Sequence, residues 1–174
     1  MGTRTNGGAV RQRRLMGIIV DRLVAKVLIF EIGGQRYGLP ASDVRELVRA
    51  VAILPLPLES AFIEGVFDLR GTVVPVVDLR ARLRLPFKAV EPSDHLIIIE
   101  AGAGGRPLAL RVDRALDLVV RDPAASEQVQ ELMPGSGDAI LMMMMRVPDG
   151  LVPLLDFRSL IATTRSAALP LALG

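Results

Sequence analysis

Val73-Val74-Pro75-Val76-Val77-Asp78-Leu79-Arg80 returns near the other end of the chain as Leu151-Val152-Pro153-Leu154-Leu155-Asp156-Phe157-Arg158. Pro, Asp and Arg are identical in the two stretches, and the other five positions are apolar in both. Proline has no N–H to give to a sheet ladder, so Pro75 marks an edge or a bulge. A second echo lies upstream, Gly34-Gln35-Arg36-Tyr37-Gly38-Leu39 against Gly105-Arg106-Pro107-Leu108-Ala109-Leu110. Each half therefore reads as a hairpin, further strands, and a proline-marked strand ending in Asp-x-Arg, which is an internal duplication. Short strands in a unit of about 70 residues bury one face by closing into a small barrel, which also removes exposed edges. The expectation is an all-β fold of two small barrels side by side, with a cleft between them suited to a partner.

Working outward, Val27-Leu28-Ile29-Phe30 is a buried-strand run, and Gly33-Gly34 is a tight turn that returns it along Gln35–Pro40. Val44, Leu47 and Val48 fall at i, i+3, i+4, with Asp43 and Glu46 spaced as a capping pair, so a short helix or helical turn is expected over 42–48. Ala52–Leu54 reads as a strand before the extended Pro55-Leu56-Pro57, and Phe62–Leu69 and Thr72–Val77 as strands across Arg70-Gly71. Asp78–Leu85 is expected as a helical turn. In the second half, strands are expected at His95–Glu100, Pro107–Val112, Arg114–Arg121, Ala139–Val147 and Leu151–Leu155, with a loop over 123–137. Short helices are expected at Gln12–Leu23 and Asp156–Ile161.

Of 174 residues, 51% are apolar and 23% charged, which suits a packed core, and aromatics at 3% leave that core to Val, Leu, Ile and Met. The absence of cysteine excludes disulfides, thiolate metal sites and a Cys nucleophile. The longest apolar runs, Ala50–Leu58 with its two prolines and Ala139–Met145, fall far short of the ~20 residues needed to span a bilayer. Arg4, Arg11, Arg13, Arg14, Arg22 and Lys26 stand against Asp21 alone in the first 26 residues, so the net charge of +2 hides a basic leader on a slightly acidic body. The leader reads as a solvated tail, although nucleic acid or an anionic surface is open to it.

The chemistry-bearing residues are sparse. His95, the one histidine, opens an apolar strand without a nucleophile beside it in sequence, and no HExxH, metal-ligand cluster or G-x-S-x-G elbow exists. Gly102, Gly104 and Gly105 read as a hairpin turn rather than a phosphate loop, because a strand follows them. Asp78 and Asp156 occupy equivalent repeat positions, the way a duplicated aspartic protease supplies its dyad. The residues after them are Leu-Arg and Phe-Arg instead of a small Thr/Ser-Gly, so the favoured reading is a helix cap paired with a local arginine. In Met142–Met145, alternate members face opposite sides of a strand. With one Tyr, five Phe and no Trp, no basic–aromatic stripe for single strands is present. No catalytic residue, cofactor or metal is expected.

Phe30-Glu31-Ile32-Gly33-Gly34-Gln35-Arg36-Tyr37-Gly38-Leu39-Pro40 followed by Val44-Arg45-Glu46 resembles the opening of CheW-like domains. So does Pro55-x-Pro57 followed by Ile63-Glu64-Gly65-Val66-Phe67-Asp68-Leu69-Arg70-Gly71-Thr72-Val73-Val74-Pro75-Val76-Val77-Asp78-Leu79-Arg80, and Leu96–Leu118 continues the likeness. The resemblance spans about residues 25–162. It implies two SH3-like five-stranded β-barrel lobes packed side by side, lobe 1 near 38–92 and lobe 2 near 93–150 with terminal segments crossing between them. Residues 1–24 and 163–174 are then tails. It further implies a cytoplasmic, non-catalytic adaptor, recruited to membrane-associated receptor arrays, that joins a chemoreceptor's cytoplasmic hairpin tip to the regulatory domain of a CheA-type histidine kinase, with no nucleic acid and no membrane insertion. Carried over singly, Arg70 matches the arginine of the Leu-Arg-Gly motif, Val44 and Glu46 the segment after the hairpin, and Ala115 and Leu118 apolar positions of the receptor groove. The family's usual Asn before Leu-Arg-Gly is Asp68 here, an acid placed either to pair with Arg70 or to shift receptor preference.

Overall fold

The structure, a computed structural model, describes residues 26–57, 62–100, 105–122, 126–128 and 141–156. Strands β1 (Lys26–Ile32) and β2 (Gln35–Pro40) form the opening hairpin, whose turn glycines Gly33 and Gly34 have φ of +62° and +77°. A 3-10 turn at Ala41–Asp43 leads into β3 (Val44–Arg49), β4 (Ile63–Leu69), β5 (Thr72–Val77) and a one-turn helix, α1 (Leu79–Arg82). Then come β6 (His95–Glu100), β7 (Pro107–Val112), β8 (Arg114–Val120), β9 (Ser126–Gln128), β10 (Leu141–Val147) and β11 (Gly150–Leu155).

These strands make two mixed sheets, in the orders β3-β6-β7-β5-β4 and β8-β1-β2-β11-β10-β9. Apart from β9, one order maps onto the other strand for strand. Sheet membership does not follow the chain: β1-β2 joins β8 to β11, while β6-β7 joins β3 to β5. Each half thus gives its opening hairpin to the sheet of the other half. The first sheet runs from Val44 to Val112, so the sheets do not part near residue 93, where a lobe boundary was expected.

The duplication holds at the level of register. Val76 lies against Ala109 in the parallel pairing of β5 with β7, and Leu154 against Gly38 in that of β11 with β2. Those partners are equivalent in both sequence echoes. Bulges coincide as well: β3 skips Arg45 between Val44 and Glu46, and β8 skips Leu116 between Ala115 and Asp117. Likewise β4 skips Glu64 and β10 skips Met142. A bulge bends a strand and increases its twist, so both sheets curve at matching points. Pro75 lies in an interior strand rather than at an edge; the parallel ladder begins at the next residue, Val76, as it does after Pro153.

Three apolar clusters follow from strands buried on both faces. In β6, Leu96 and Ile98 point into the first lobe beside Phe67, Val74 and Val76, while Ile97 and Ile99 point into a core between the sheets. In β1, Val27 and Ile29 point into the second lobe beside Met145, Val152 and Leu154, while Phe30 and Ile32 meet the same inter-sheet core. Equivalent strands supply that central core from both sides, as in a two-fold dimer interface. A run such as Leu-Ile-Ile-Ile is what a strand covered on both faces requires.

Two local expectations are corrected. Residues 42–48 are not a helix: after the 3-10 turn the chain is β3, with Val44, Glu46 and Val48 half-buried and Arg45, Leu47 and Arg49 exposed. Val44 and Val48 satisfy both periods, and pairing the open edge of β6 decides between them. Ala52–Leu54 contributes one bridge, Leu54 to Val66, with N–H···O distances of 2.7 and 2.9 Å. That bridge is the closest approach to closure; among the described residues no ladder joins β3 to β4, so the sheets remain open where closed barrels were expected. Gly65 permits the crossing, because a Cβ there would lie 2.3 Å from the Leu54 carbonyl oxygen. The helices expected at 12–23 and 157–161, the glycine turn at 101–104 and most of the 123–137 loop fall outside the described residues, but β9 lies within that loop.

Candidate docking surface

Both sheets end in an edge strand of equivalent register, β3 in one and β8 in the other. Val44 pairs with Ile99 as Ala115 pairs with Phe30. Glu46 pairs with Ile98 as Asp117 does with Ile29, and Leu47 with Ile97 as Leu118 does with Leu28. Four of the five expected partner-contact residues therefore sit on these two edges. Leu47, at 42% exposed, is the counterpart of Leu118, at 48%, and sequence reading missed it. Aligning Glu46-Leu47-Val48 with Asp117-Leu118-Val119 would have found it. Their cross-strand partners, Ile97 and Leu28, belong to the inter-sheet core or pack on it, so Leu47 and Leu118 carry the apolar face between the lobes out to solvent.

Arg70, the fifth residue, stands in the two-residue turn from β4 to β5, with φ of +51° followed by +85° at Gly71. A non-glycine residue there costs on the order of 1 kcal/mol. The Arg70 guanidinium donates to both carboxylate oxygens of Glu46, at 2.6 Å to Oε1. The structure thus joins two expected site residues 24 positions apart in an exposed ion pair. Asp68 does not pair with Arg70; its Oδ1 accepts the Gly71 N–H at 2.6 Å and braces the turn. An Asn carbonyl oxygen accepts the same bond, so the Asn-to-Asp departure leaves the turn intact.

A second polar system ties the lobes together. Arg80 of α1 donates to both oxygens of Asp113, at 2.7 and 2.9 Å, and Asp113 also accepts the Gly33 N–H of the opening hairpin at 2.8 Å. Burial opposes ionisation of Asp113, but Arg80, the Gly33 N–H and Lys88 outweigh it and hold the carboxyl below its usual range. Next to it, fully buried Asp94 accepts from Lys88 at 2.6 Å and Arg111 at 3.1 Å, and Arg111 also meets Glu64 at 2.8 Å. Burial likewise works against the Asp94 carboxylate, yet its cationic partners and the Glu91 N–H lower its pKa. These ions are shared among several partners, as buried charges must be.

Asp78 caps α1, accepting the Ala81 N–H at 3.0 Å, while Arg80 reaches Asp113 rather than a neighbouring carboxylate. Asp156 follows β11 and is half-buried. His95 opens β6 opposite Arg49 and Val112. Met145 is buried in the second lobe, Met143 packs on the same cluster, and Met144 is half-buried.

The profile of the CheW-like domain matches residues 26–165. The chain belongs to the CheW-like domain family. It is a non-catalytic scaffold and coupling protein of the chemotaxis type. It is similar to the chemotaxis protein CheW of Treponema pallidum (strain Nichols), 21% identical over 91% of this chain and 94% of that protein. Over 54% of this chain and 59% of the relative, it is 35% identical to the chemotaxis protein CheW of Rhizobium meliloti (strain 1021). The crystal structure of the scaffolding protein TtCheW from Thermoanaerobacter tengcongensis superposes with a TM-score of 0.67 at 26% identity, covering 77% of this chain and 85% of that one. Among the described residues, no helix of this CheW-like chain is long and apolar enough to cross a membrane.

Proposed function

We propose that this CheW-like chain joins the cytoplasmic hairpin tip of a chemoreceptor to the regulatory domain of a CheA-type histidine kinase through two distinct faces. The observation that carries the reading is the Arg70–Glu46 pair, an exposed charged latch beside half-buried Val44 on the edge strand of the first lobe. That face, Val44, Glu46 and Arg70, meets a homologous barrel of the kinase. Ala115 and Leu118, on the equivalent edge of the second lobe, border the apolar seam that receives the helical tip, in the manner of a helix laid in a groove. Residues 25–162 form the working unit, flanked by the 1–24 leader and the 163–174 tail, in the cytoplasm at membrane-associated receptor arrays. Each contact is weak alone and gains from avidity in an array.

Copurification with the kinase regulatory domain and with receptor tips from the same organism tests this. Arg70→Ala is expected to fold normally and lose the kinase domain while retaining the receptor tip. Leu118→Asp is expected to do the reverse. Kinase coupling by Arg70→Ala at the wild-type level would remove the assignment of that face.

A further inference from the structure

In the first lobe the gap between the edge strand and the β4–β5 turn is bridged by Arg70 on Glu46. In the second lobe the same gap is open. Asp117 stands where Glu46 does, but the repeat places Pro148 where Arg70 would be. The space between is a cleft of about 360 Å³ whose walls include Ile29, Leu116, Val119, Val147 and Val152. Arg36 and Asp149 at its rim neutralise one another, with N···O of 3.3 Å. Among the described residues, the Asp117 carboxylate accepts only the neighbouring Leu118 N–H. Among the described residues, the second lobe therefore keeps the carboxylate and apolar walls, but its rim guanidinium, Arg36, is held by Asp149 and none reaches Asp117.

We infer that the arginine leader, residues Arg11 to Arg14, docks in this cleft and places on Asp117 the guanidinium that Arg70 places on Glu46. Reach permits it. The leader enters β1 at Lys26, which pairs with Val120 of β8, and Ile29 on the cleft wall lies three residues into the same strand. That is a span of about 10 Å. Arg14 is twelve residues before Lys26, a tether of up to ~40 Å when extended. Charge and apolarity also match, since Val10 and Leu15 flank the arginines and the leader carries a single acid, Asp21. Tethering keeps the effective concentration high, so a contact that is weak between separate molecules is populated within one. The inference goes beyond the coupling role and does not depend on it.

The chain contains no cysteine, so Val10→Cys in the full-length protein takes one nitroxide label at a unique place. Paramagnetic broadening of backbone amide signals reads where the leader rests. Broadening confined to Asp117–Val119, Val147 and Asp149 supports the inference. Uniform weak broadening, or broadening centred on the first-lobe edge near Glu46, overturns it. Asp117→Asn in the labelled chain is expected to reduce the cleft broadening about threefold, in line with one exposed ion pair. Replacing Arg11, Arg13 and Arg14 by Ala, which leaves every described residue unchanged, is expected to abolish it. Broadening that survives both changes also overturns the inference.

Discussion

The two lobes share registers, bulges and core positions, yet their rims differ. In the first, Arg70 closes the rim on Glu46, and Asp94, Arg111, Lys88 and Glu64 lock the strands beneath. In the second, the equivalent rim is an open cleft beside an edge strand that exposes Leu116, Leu118 and Val120. Interior positions change within tight limits: Ala109 becomes Gly38, where a Cβ would lie 2.3 Å from Leu154 Cδ2 and 2.8 Å from Val27 Cγ1. Packing fixed the interior of both copies, and the rims diverged.

The sharpest asymmetry is the buried ion network of the first lobe, and removing Asp94 is the largest test of it. Asp94→Ala strands Arg111 in the interior without one of its carboxylates, and the expected loss is about 3–5 kcal/mol in urea unfolding. The pH dependence has a definite sign. Asp94 and Asp113 titrate below the ordinary value when folded, so their contribution is complete above about pH 4 and lost as the pH falls through the folded values. Lys88 is displaced the other way: burial lowers its pKa, but hydrogen bonds to Asp94 and Glu91 and the charge of Asp113 outweigh this and raise it. Its contribution is complete below about pH 10 and lost as the pH rises beyond the folded value. Wild-type stability should therefore fall at the acid end, and Asp94→Ala should flatten that limb. An unchanged acid limb would show that this network does not distinguish the lobes energetically.

Gly65 tests a smaller asymmetry. Its counterpart in the second lobe is Met143, which packs on the core, whereas Gly65 lets the Ile53-Leu54 backbone cross β4. Gly65→Ala meets a carbonyl oxygen rather than a flexible side-chain end, and it is expected to cost about 2–3 kcal/mol and to speed exchange of the Leu54 and Val66 amides. If those amides exchange as in the wild type, the one-point closure contributes nothing to the difference between the lobes.

Much of this was legible in the sequence because packing repeats. The Pro-marked strands carried the duplication, and four consecutive apolar residues in β6 announced a strand covered on both faces. The family resemblance implied that terminal segments cross between the lobes, but the exchange of both hairpins was not legible in the residues, since strand pairing between halves depends on distant edges that local composition does not encode. The same limit produced the error at 42–48, where Val44 and Val48 fit two periods and only the unpaired edge of β6 chose. Of the candidate surface, the residue types were readable at Val44, Glu46, Arg70, Ala115 and Leu118. The bond between Arg70 and Glu46 was not, because it depends on a turn folding back over β3.

The smallest expected effect bears most directly on the rims. Arg70 is 71% exposed at its side chain, so its ion pair contributes at most about 1 kcal/mol, and its left-handed backbone costs a similar amount. Arg70→Gly removes both and should leave stability within about 0.5 kcal/mol of wild type. Arg70→Ala keeps the backbone cost and loses the pair, so it should be the less stable of the two by about 1 kcal/mol, read from urea midpoints. Both variants should lose the kinase domain in copurification. If Arg70→Gly binds while Arg70→Ala does not, turn conformation is what the partner reads. If neither binds although Arg70→Gly is as stable as wild type, the guanidinium itself is read, and the cost of holding an arginine in a glycine conformation has its explanation in recognition.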